Sequence, residues 1–221
     1  GKTGVNLPKG KNLLGAFHQP KLVLQDIAHL DTLPPREMAA GWAEALKHGF
    51  ILDAELLDKF ERFPDQMNAL EGDEPVQAIK RSVGIKAEIV SSDEFETGDR
   101  RVLLNYGHTI GHAIEVVSGY GKFLHGEAVS VGMMAAAGIA QRLGMIDVSL
   151  VNRQRRILES YNLPTRLEGL DADTIFDATK SDKKSRGGNI RWVLLENVGQ
   201  ATTNRHVPDA VVMESIQAVT E

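Results

Sequence analysis

The chain has 221 residues, of which 42% are hydrophobic and 25% are charged, with a formal net charge of −5 and no cysteine. These values are typical of a globular protein with a sizeable core. The lack of cysteine excludes disulfides and thiolate metal sites, and nothing in the net charge favours binding to nucleic acid or anionic membrane. The longest uncharged apolar stretch, residues 128–140, is too short to span a bilayer. We therefore expect neither nucleic acid nor membrane as a partner, and the lack of cysteine is compatible with a cytoplasmic location.

The first residues differ in composition from the rest. Residues 1–19 are rich in glycine, lysine and asparagine, which predicts a loop, and residues 22–25 form a short apolar run that predicts a strand. The chain opens without a methionine, so we expect it to come from the middle of a longer protein. We assign residues 1–37 to the tail of an α/β domain and residues 38–221 to a helical domain.

The helical domain begins at two prolines, Pro34 and Pro35, which are tolerated in a first helical turn. Helices are predicted from there to about residue 52, and then over 53–63 and 75–92. In the last of these, a buried stripe from which Lys86 projects is predicted by Val76, Ile79, Val83, Ala87 and Val90. An acidic loop follows over residues 93–99.

The second half of the chain predicts further helices over residues 125–143, 147–160 and 172–180, and a last helix from residue 208. Between them, residues 182–188 predict a basic turn, and residues 191–195 and 200–206 predict the two strands of a small hairpin. The expected fold class is therefore mainly α with a small β-hairpin.

Three histidines, His108, His112 and His125, fall within 18 residues of a chain that has seven in all. His108 and His112 are four residues apart, so they share one face of a helix, and Gly107 allows a tight turn before them. His125 opens a second apolar run, so two helix starts that carry imidazoles can face one another. This pattern favours a divalent metal of the zinc type, although a solvated helix face or two hydrogen-bonded histidines would give the same spacing.

Several longer runs occur together and in order. They are Gly-Lys-Thr-Gly-Val-Asn at residues 1–6, Gly-Lys-Asn-Leu-Leu-Gly-Ala-Phe-His-Gln-Pro at 10–20, Thr-Leu-Pro-Pro-Arg-Glu at 32–37, Ala-Glu-Ala-Leu-Lys at 43–47, Lys-Ala-Glu-Ile-Val-Ser-Ser-Asp-Glu at 86–94, Leu-Asn-Tyr-Gly-His-Thr-Ile-Gly-His-Ala-Ile-Glu at 104–115, His-Gly-Glu-Ala-Val at 125–129 and Asp-Lys-Lys at 182–184. Through these runs the whole chain resembles the C-terminal half of the 3-dehydroquinate synthases, a family of sugar-phosphate cyclases. The resemblance implies a helical metal- and substrate-binding domain after a short remnant of the NAD-binding α/β domain.

The resemblance also implies a set of site residues. Glu44, His108 and His125 match the ligands of a zinc or cobalt ion, so His112 is expected to face the substrate and move protons rather than bind the metal. The expected catalytic residues are His112, Lys47, Lys86 and Arg101. The expected substrate-binding residues are Lys2, Asn12, Lys47, Lys86, Arg101, Asn105, His112, Lys183 and Lys184, and Lys2 and Lys11 are expected near the cofactor. The family has one residue fewer between Asp93 and Asn105, so Arg100 is the alternative to Arg101.

The activity implied is that of a phosphorus–oxygen lyase of the shikimate pathway. It converts 3-deoxy-D-arabino-heptulosonate 7-phosphate to 3-dehydroquinate and phosphate, with NAD as a transient hydride acceptor, in an enzyme that is commonly a homodimer. No G-x-G-x-x-G motif opens a βαβ unit here, so we expect no turnover from this chain alone. The alternatives are another sugar-phosphate cyclase such as 2-deoxy-scyllo-inosose synthase, a metal-dependent alcohol dehydrogenase, or a non-catalytic helical metal-binding module.

Overall fold

The computed structural model describes residues 4–7, 10–16, 18–94, 100–119, 121–185, 190–204 and 206–221, and for residues 6, 10–12 and 181–185 it describes the backbone alone. The chain divides into two compact units, Gly1–Leu33 and Pro34–Glu221. No helix in the described ranges has both the length and the apolar character needed to cross a membrane.

The first unit contains a short antiparallel strand pair, β1 (Val5–Leu7) and β2 (Gly10–Leu14), in which Val5 lies opposite Leu14. A 3₁₀ helix follows over Ile27–Thr32, where the Asp26 carboxylate accepts a hydrogen bond from the backbone N–H of Ala28. The predicted loop over residues 1–19 is therefore wrong for the strand pair, and the predicted strand over 22–25 is wrong as well. An apolar run becomes a strand only where a second strand pairs with it, and the described residues offer none to 22–25.

The second unit is mainly helical, as predicted. Its helices are α1 (Pro35–Leu52), α2 (Ala54–Arg62), α3 (Pro64–Ala69), α4 (Glu74–Ser92), α5 (His108–Ser118), α6 (His125–Arg142), α7 (Val148–Ser160), α8 (Ala172–Ser185) and α9 (Asp209–Thr220). A 3₁₀ turn over Arg101–Asn105 precedes α5. Strands β3 (Trp192–Asn197) and β4 (Gln200–Asn204) form the predicted hairpin, with Trp192 opposite Asn204.

Helices α1 and α6 form the centre of the second unit, because both are buried on nearly every side. In α6 almost every residue from Gly126 to Ala140 is buried, and most of them are glycine, alanine or another small residue. Small side chains let neighbouring helices approach closely. The central helices therefore pack backbone against backbone.

Helix α4 presents a different face to the core from the one that its valines predict. Its buried residues are Pro75, Ala78, Ser82, Ile85 and Ile89, whereas Val76 is 41% exposed and Lys86 is also exposed. The small polar Ser82 faces inward because α1 presents His48 there, and their side chains are hydrogen-bonded at 2.8 Å. Lys86 therefore does not project from the buried stripe.

The predicted turn over residues 182–188 is also wrong in part. Helix α8 continues to Ser185, so residues 182–185 are helical, and residues 186–188 lie outside the described part of the chain.

Candidate metal centre

Helix α1 carries a carboxylate and an ammonium group, those of Glu44 and Lys47, on one side. Lys47 is only 2% exposed, and its Nζ donates a hydrogen bond to Glu44 Oε2 at 2.6 Å. Burial lowers the pKa of Lys47, which the neighbouring Glu44 carboxylate opposes. The pair therefore holds one carboxylate oxygen, Oε2, in place and leaves Oε1 for another partner.

Helix α5 begins directly at His108, and the residue before it makes this possible. Gly107 has φ +78°, and a Cβ there would lie 2.7 Å from the backbone nitrogen of Met133 in α6. No other residue would allow this left-handed turn so close to α6. The turn points the backbone carbonyl of Tyr106 at His108 Nδ1, at 3.1 Å. Because a carbonyl can only accept, Nδ1 carries the proton and Nε2 of the neutral ring keeps a free lone pair.

Helix α6 begins at His125, and an ion pair fixes this start against α1. The Glu127 carboxylate accepts hydrogen bonds from the Leu124 backbone N–H at 2.8 Å and from Arg36 at 2.6 and 2.7 Å. Arg36 lies in the first turn of α1. A Cβ at Gly126 would lie 2.0 Å from the carbonyl oxygen of Ala40, so the two helices are in backbone contact at this point. This contact sets the distance between Glu44 and His125.

The three helices bring one carboxylate and two imidazoles together. Glu44 Oε1 lies 3.3 Å from His108 Nε2 and 3.6 Å from His125 Nε2. Oε1 is buried, and no hydrogen bond reaches it from the described residues. Two ligands that each bind a tetrahedral zinc ion at about 2.1 Å stand about 3.4 Å apart. Both distances from Glu44 Oε1 thus match the separation of two ligands of one metal ion.

The charges at this cluster follow from the same contacts. Burial opposes ionisation of Glu44, but the two imidazoles and the Lys47 ammonium outweigh it and hold the pKa of its carboxyl far below its usual range. Burial lowers the pKa of His108. The Glu115 carboxylate, and after it Glu44, raises the pKa of His125 to about 9. The cluster therefore offers an ionised carboxylate to a cation, and at His125 the cation must displace a proton.

His112 lies beside this cluster but takes a different position. Its ring is exposed, with its centroid 5.3 Å from that of His108 and 5.8 Å from that of His125. One ligand atom from each of the three histidines lies within 4.8 Å of the others, so they form a second possible metal set. The distances from Glu44 Oε1 are shorter, and its missing hydrogen bond needs a partner. Glu44, His108 and His125 therefore fit a metal ion better than the three histidines.

The sequence of the chain matches two family models. A family model for the C-terminal part of 3-dehydroquinate synthase matches residues 41–185, and one for the N-terminal part matches residues 1–40. The chain belongs to the 3-dehydroquinate synthase family. It is 46% identical to the 3-dehydroquinate synthase of a Synechococcus species, over 99% of this chain and 60% of the relative. It is also 46% identical to that of Nitrosomonas europaea, over 99% of this chain and 59% of the relative. The chain thus spans about 60% of the length of these synthases.

Solved structures of sugar-phosphate cyclases share the fold. The 2-epi-5-epi-valiolone synthase of Streptomyces hygroscopicus, solved with NAD⁺ and Zn²⁺, superposes with a TM-score of 0.89 at 26% identity and covers 98% of this chain and 60% of that one. A 2-deoxy-scyllo-inosose synthase, solved with carbaglucose-6-phosphate, NAD⁺ and Co²⁺, has a TM-score of 0.79 at 30% identity and covers 98% of this chain and 61% of its own.

The remaining residues expected from the 3-dehydroquinate synthase resemblance differ in their burial and in their contacts. Lys86 is exposed on α4, and its charge acts on Lys47, whose pKa it lowers after the larger effect of burial. Arg101 is half-buried and donates hydrogen bonds to the backbone carbonyls of Asp93 and Glu94, whereas Arg100 pairs with Glu88 on the surface. Arg101 thus lies further inside than Arg100.

The structure describes the other expected residues only in part. Asn105 is half-buried at the end of the 3₁₀ turn. Lys2 and the side chains of Lys11, Asn12, Lys183 and Lys184 lie outside the described residues.

Two supporting residues were not identified from the sequence. Glu115 contacts His125 from behind, and Glu127 holds the start of α6. An acidic residue three positions after a helix cap is a recognisable signal, but the cap here is Leu124 rather than serine or threonine, which hides it. No local signal indicates Glu115, because its contact with His125 depends on how α5 packs on α6.

Proposed function

We propose that the protein to which this chain belongs is a 3-dehydroquinate synthase, which converts 3-deoxy-D-arabino-heptulosonate 7-phosphate to 3-dehydroquinate and phosphate. The observation that carries this proposal is the approach of Glu44 Oε1 to two imidazole nitrogens, beside the buried Lys47 ammonium. Identities of 46% to the synthases, against 26% and 30% to the two other cyclases, favour this substrate over theirs.

Glu44, His108 and His125 would hold the metal ion, which we infer to be zinc or cobalt. A cation with three protein ligands keeps a position open for a substrate hydroxyl, whose pKa it lowers. In the whole protein NAD would take up and return a hydride, a reaction that belongs to the cofactor rather than to these side chains. We assign residues 1–37 to the domain that binds it.

The side chains around the centre have distinct proposed roles. Lys47 is held in place by Glu44, so its ammonium is ready to bind an anionic or hydroxyl group of the substrate. His112 is exposed beside the proposed metal ligands, where its imidazole can accept and return protons. Lys86 and Arg101 offer further positive charge, which a substrate with a phosphate and a carboxylate requires.

A phosphate-release assay tests the proposed reaction. The protein that includes this chain and its NAD-binding domain, with zinc and NAD, is expected to release phosphate from 3-deoxy-D-arabino-heptulosonate 7-phosphate. It is expected not to release phosphate from a hexose 6-phosphate, the substrate type that carbaglucose-6-phosphate imitates. Faster release from the hexose phosphate would assign the protein to the inosose synthases instead. The 221-residue chain alone is expected to show no turnover.

The alternative outside the enzymes is a non-catalytic metal-binding module, which would bind zinc but release no phosphate in this assay. Two histidine variants test the roles within the proposed enzyme. If His112 moves protons, His112→Ala should keep its zinc but slow phosphate release by roughly 10²–10⁴-fold. Unchanged phosphate release would remove His112 from the reaction. His125→Ala should instead lose both zinc and activity.

A further inference from the structure

Glu115 is a buried carboxylate that the proposed reaction does not use. It lies two turns after His108 on α5 and is 5% exposed, among the buried apolar residues Ile110, Ala113 and Ile114. A charged carboxylate in such surroundings is costly unless a partner donates a hydrogen bond to it. Its position therefore calls for an explanation from its contacts.

The contact that explains it is with His125. Glu115 Oε2 lies 3.3 Å from His125 Nδ1, while Nε2 of the same ring lies 3.6 Å from Glu44 Oε1. The two carboxylates thus lie at opposite edges of one imidazole. An ionised carboxylate can only accept, so Nδ1 must carry the proton. Nε2 of the neutral ring then keeps its lone pair on the side of Glu44.

The two candidate histidine ligands differ in what supports them. His108 Nδ1 is held by a backbone carbonyl and its side chain is 14% exposed, whereas the side chain of His125 is 43% exposed. An exposed ring has few packing contacts to fix its orientation, so a side-chain partner matters more at His125. Histidine ligands of metal ions commonly donate their second ring N–H to a carboxylate, which fixes the ring and strengthens it as a ligand.

We propose that Glu115 is a positioning residue of the metal centre, which fixes the tautomer and the direction of His125 and increases its affinity for the cation. The proposal rests on the metal centre proposed above. The Glu115 carboxylate faces Nδ1 of His125 rather than Nε2, so in this role it acts on the metal through the imidazole ring.

Zinc affinity of the purified chain tests this role. We measure it by competition with a chelating dye for the wild type, Glu115→Gln and Glu115→Ala. Glu115→Ala should weaken zinc binding by roughly 10–100-fold, as the loss of such an outer partner does elsewhere. Glu115→Gln keeps an acceptor oxygen but loses the charge, so its affinity should lie between the other two. Ser130→Ala is the control, because Ser130 is a buried residue of the same helix as His125, bonded to the Pro164 carbonyl.

A second readout separates positioning from a general effect on stability. In the zinc-loaded wild type, ¹⁵N-edited NMR of the histidine rings should show a protected Nδ1–H at His125. The signal should be kept in Glu115→Gln and in Ser130→Ala. Should Glu115→Ala fail to fold, the weaker zinc binding of folded Glu115→Gln carries the test.

The possible failures can be told apart. If the wild type binds zinc and Glu115→Ala and Glu115→Gln bind it equally well, the positioning role is wrong and the metal centre stands. Equal losses in Glu115→Ala and Ser130→Ala also overturn the role, since they would show a general effect. If the wild-type chain binds no zinc, the metal centre and the role of Glu115 are both wrong.

Discussion

Helix α1 contacts two groups of side chains, one aromatic and one polar, and these differ in the charge of the atoms that they leave without a hydrogen bond. On one side Trp42 forms edge-to-face contacts with Phe60 and Tyr161, with ring centroids 5.7 and 5.9 Å away. On the other side Glu44 Oε1 is buried beside two imidazoles without a hydrogen bond from the described residues. The aromatic side leaves one neutral group, the Trp42 Nε1–H, without a hydrogen bond from the described residues, whereas the polar side leaves an oxygen of an ionised carboxylate without one, although Lys47 pairs with the other oxygen. This difference in charge is the reason why we assign the first side to the fold and the second to the proposed metal centre.

A substitution on the aromatic side should have the largest effect of these changes. It should lower stability and leave zinc affinity unchanged. Trp42→Ala removes a side chain that is 3% exposed, and truncation of a buried tryptophan costs about 3–5 kcal/mol. Chemical denaturation with a chelator present measures the loss. If the two sides are independent, zinc affinity of the folded variant should stay at the wild-type value. A large loss of zinc affinity would instead show that the two sides are coupled.

Acid should lower the stability of the folded chain through His48, a buried imidazole that has a hydrogen-bond partner within the chain. Burial lowers the pKa of His48 from 6.5 to about 4, and the Lys47 charge adds to this, while its Nδ1 is bonded to Ser82 Oγ at 2.8 Å. The unfolded chain therefore binds a proton that the folded chain rejects. The stability contributed by neutral His48 is present above pH 6.5 and is lost as pH falls towards 4, by up to roughly 3 kcal/mol.

This pH dependence is measured as the difference between the wild type and His48→Gln, both free of metal, in denaturant titrations from pH 7 to 4. The difference isolates His48 from the other groups that titrate in acid. Glutamine stays neutral, so His48→Gln should lose less stability over this range. Equal slopes for the two proteins would show that His48 charges freely in the folded state.

Gly126→Ala should lower both the stability of the chain and its zinc affinity, because Gly126 lies where the two central helices are in backbone contact. The added methyl would lie 2.0 Å from the Ala40 carbonyl, and overpacking of this kind costs about 1–3 kcal/mol. The helices should separate, which widens the gap between Glu44 and His125 and weakens zinc binding. Gly41→Ala is the matched control, since a Cβ there meets nothing within 4 Å and alanine favours the helix by about 1 kcal/mol. Equal behaviour of the two variants would contradict the close contact.

His112→Ala should have the smallest effect on zinc. Its ring is exposed, and the shortest distances in the cluster run from Glu44 rather than from His112. Competition titrations should therefore give an affinity close to the wild type, with His125→Ala as the contrasting variant that loses the ion. The reverse order would assign the metal to the three histidines.

The sequence predicted the helices well, because their ends carry local signals. Pro34 and Pro35 mark the start of α1, and His125 opens α6, as the structure confirms. The phase of α4 was predicted wrongly because the valines suggested one face, while its neighbour α1 selects the small residue Ser82 at another. A preference set by the partner helix cannot be seen in the sequence of the helix itself.

The candidate site was predicted less directly. Local spacing pointed to His108 and His112, which are one turn apart on the same helix. Glu44 lies 64 positions before His108, and tertiary contacts such as those of Gly126 with Ala40 and of Arg36 with Glu127 bring its helix to the histidines. The resemblance to a known family supplied this residue, whereas helical periodicity did not. The contact between Glu115 and His125 was identified only from the structure.

The most direct test is the position of the cation. Crystals of the chain grown with zinc should give one strong anomalous peak at the zinc edge, about 2.0–2.2 Å from Glu44 Oε1, His108 Nε2 and His125 Nε2. A peak bound by His108, His112 and His125 with Glu44 turned away, or no peak near these residues, would contradict the account.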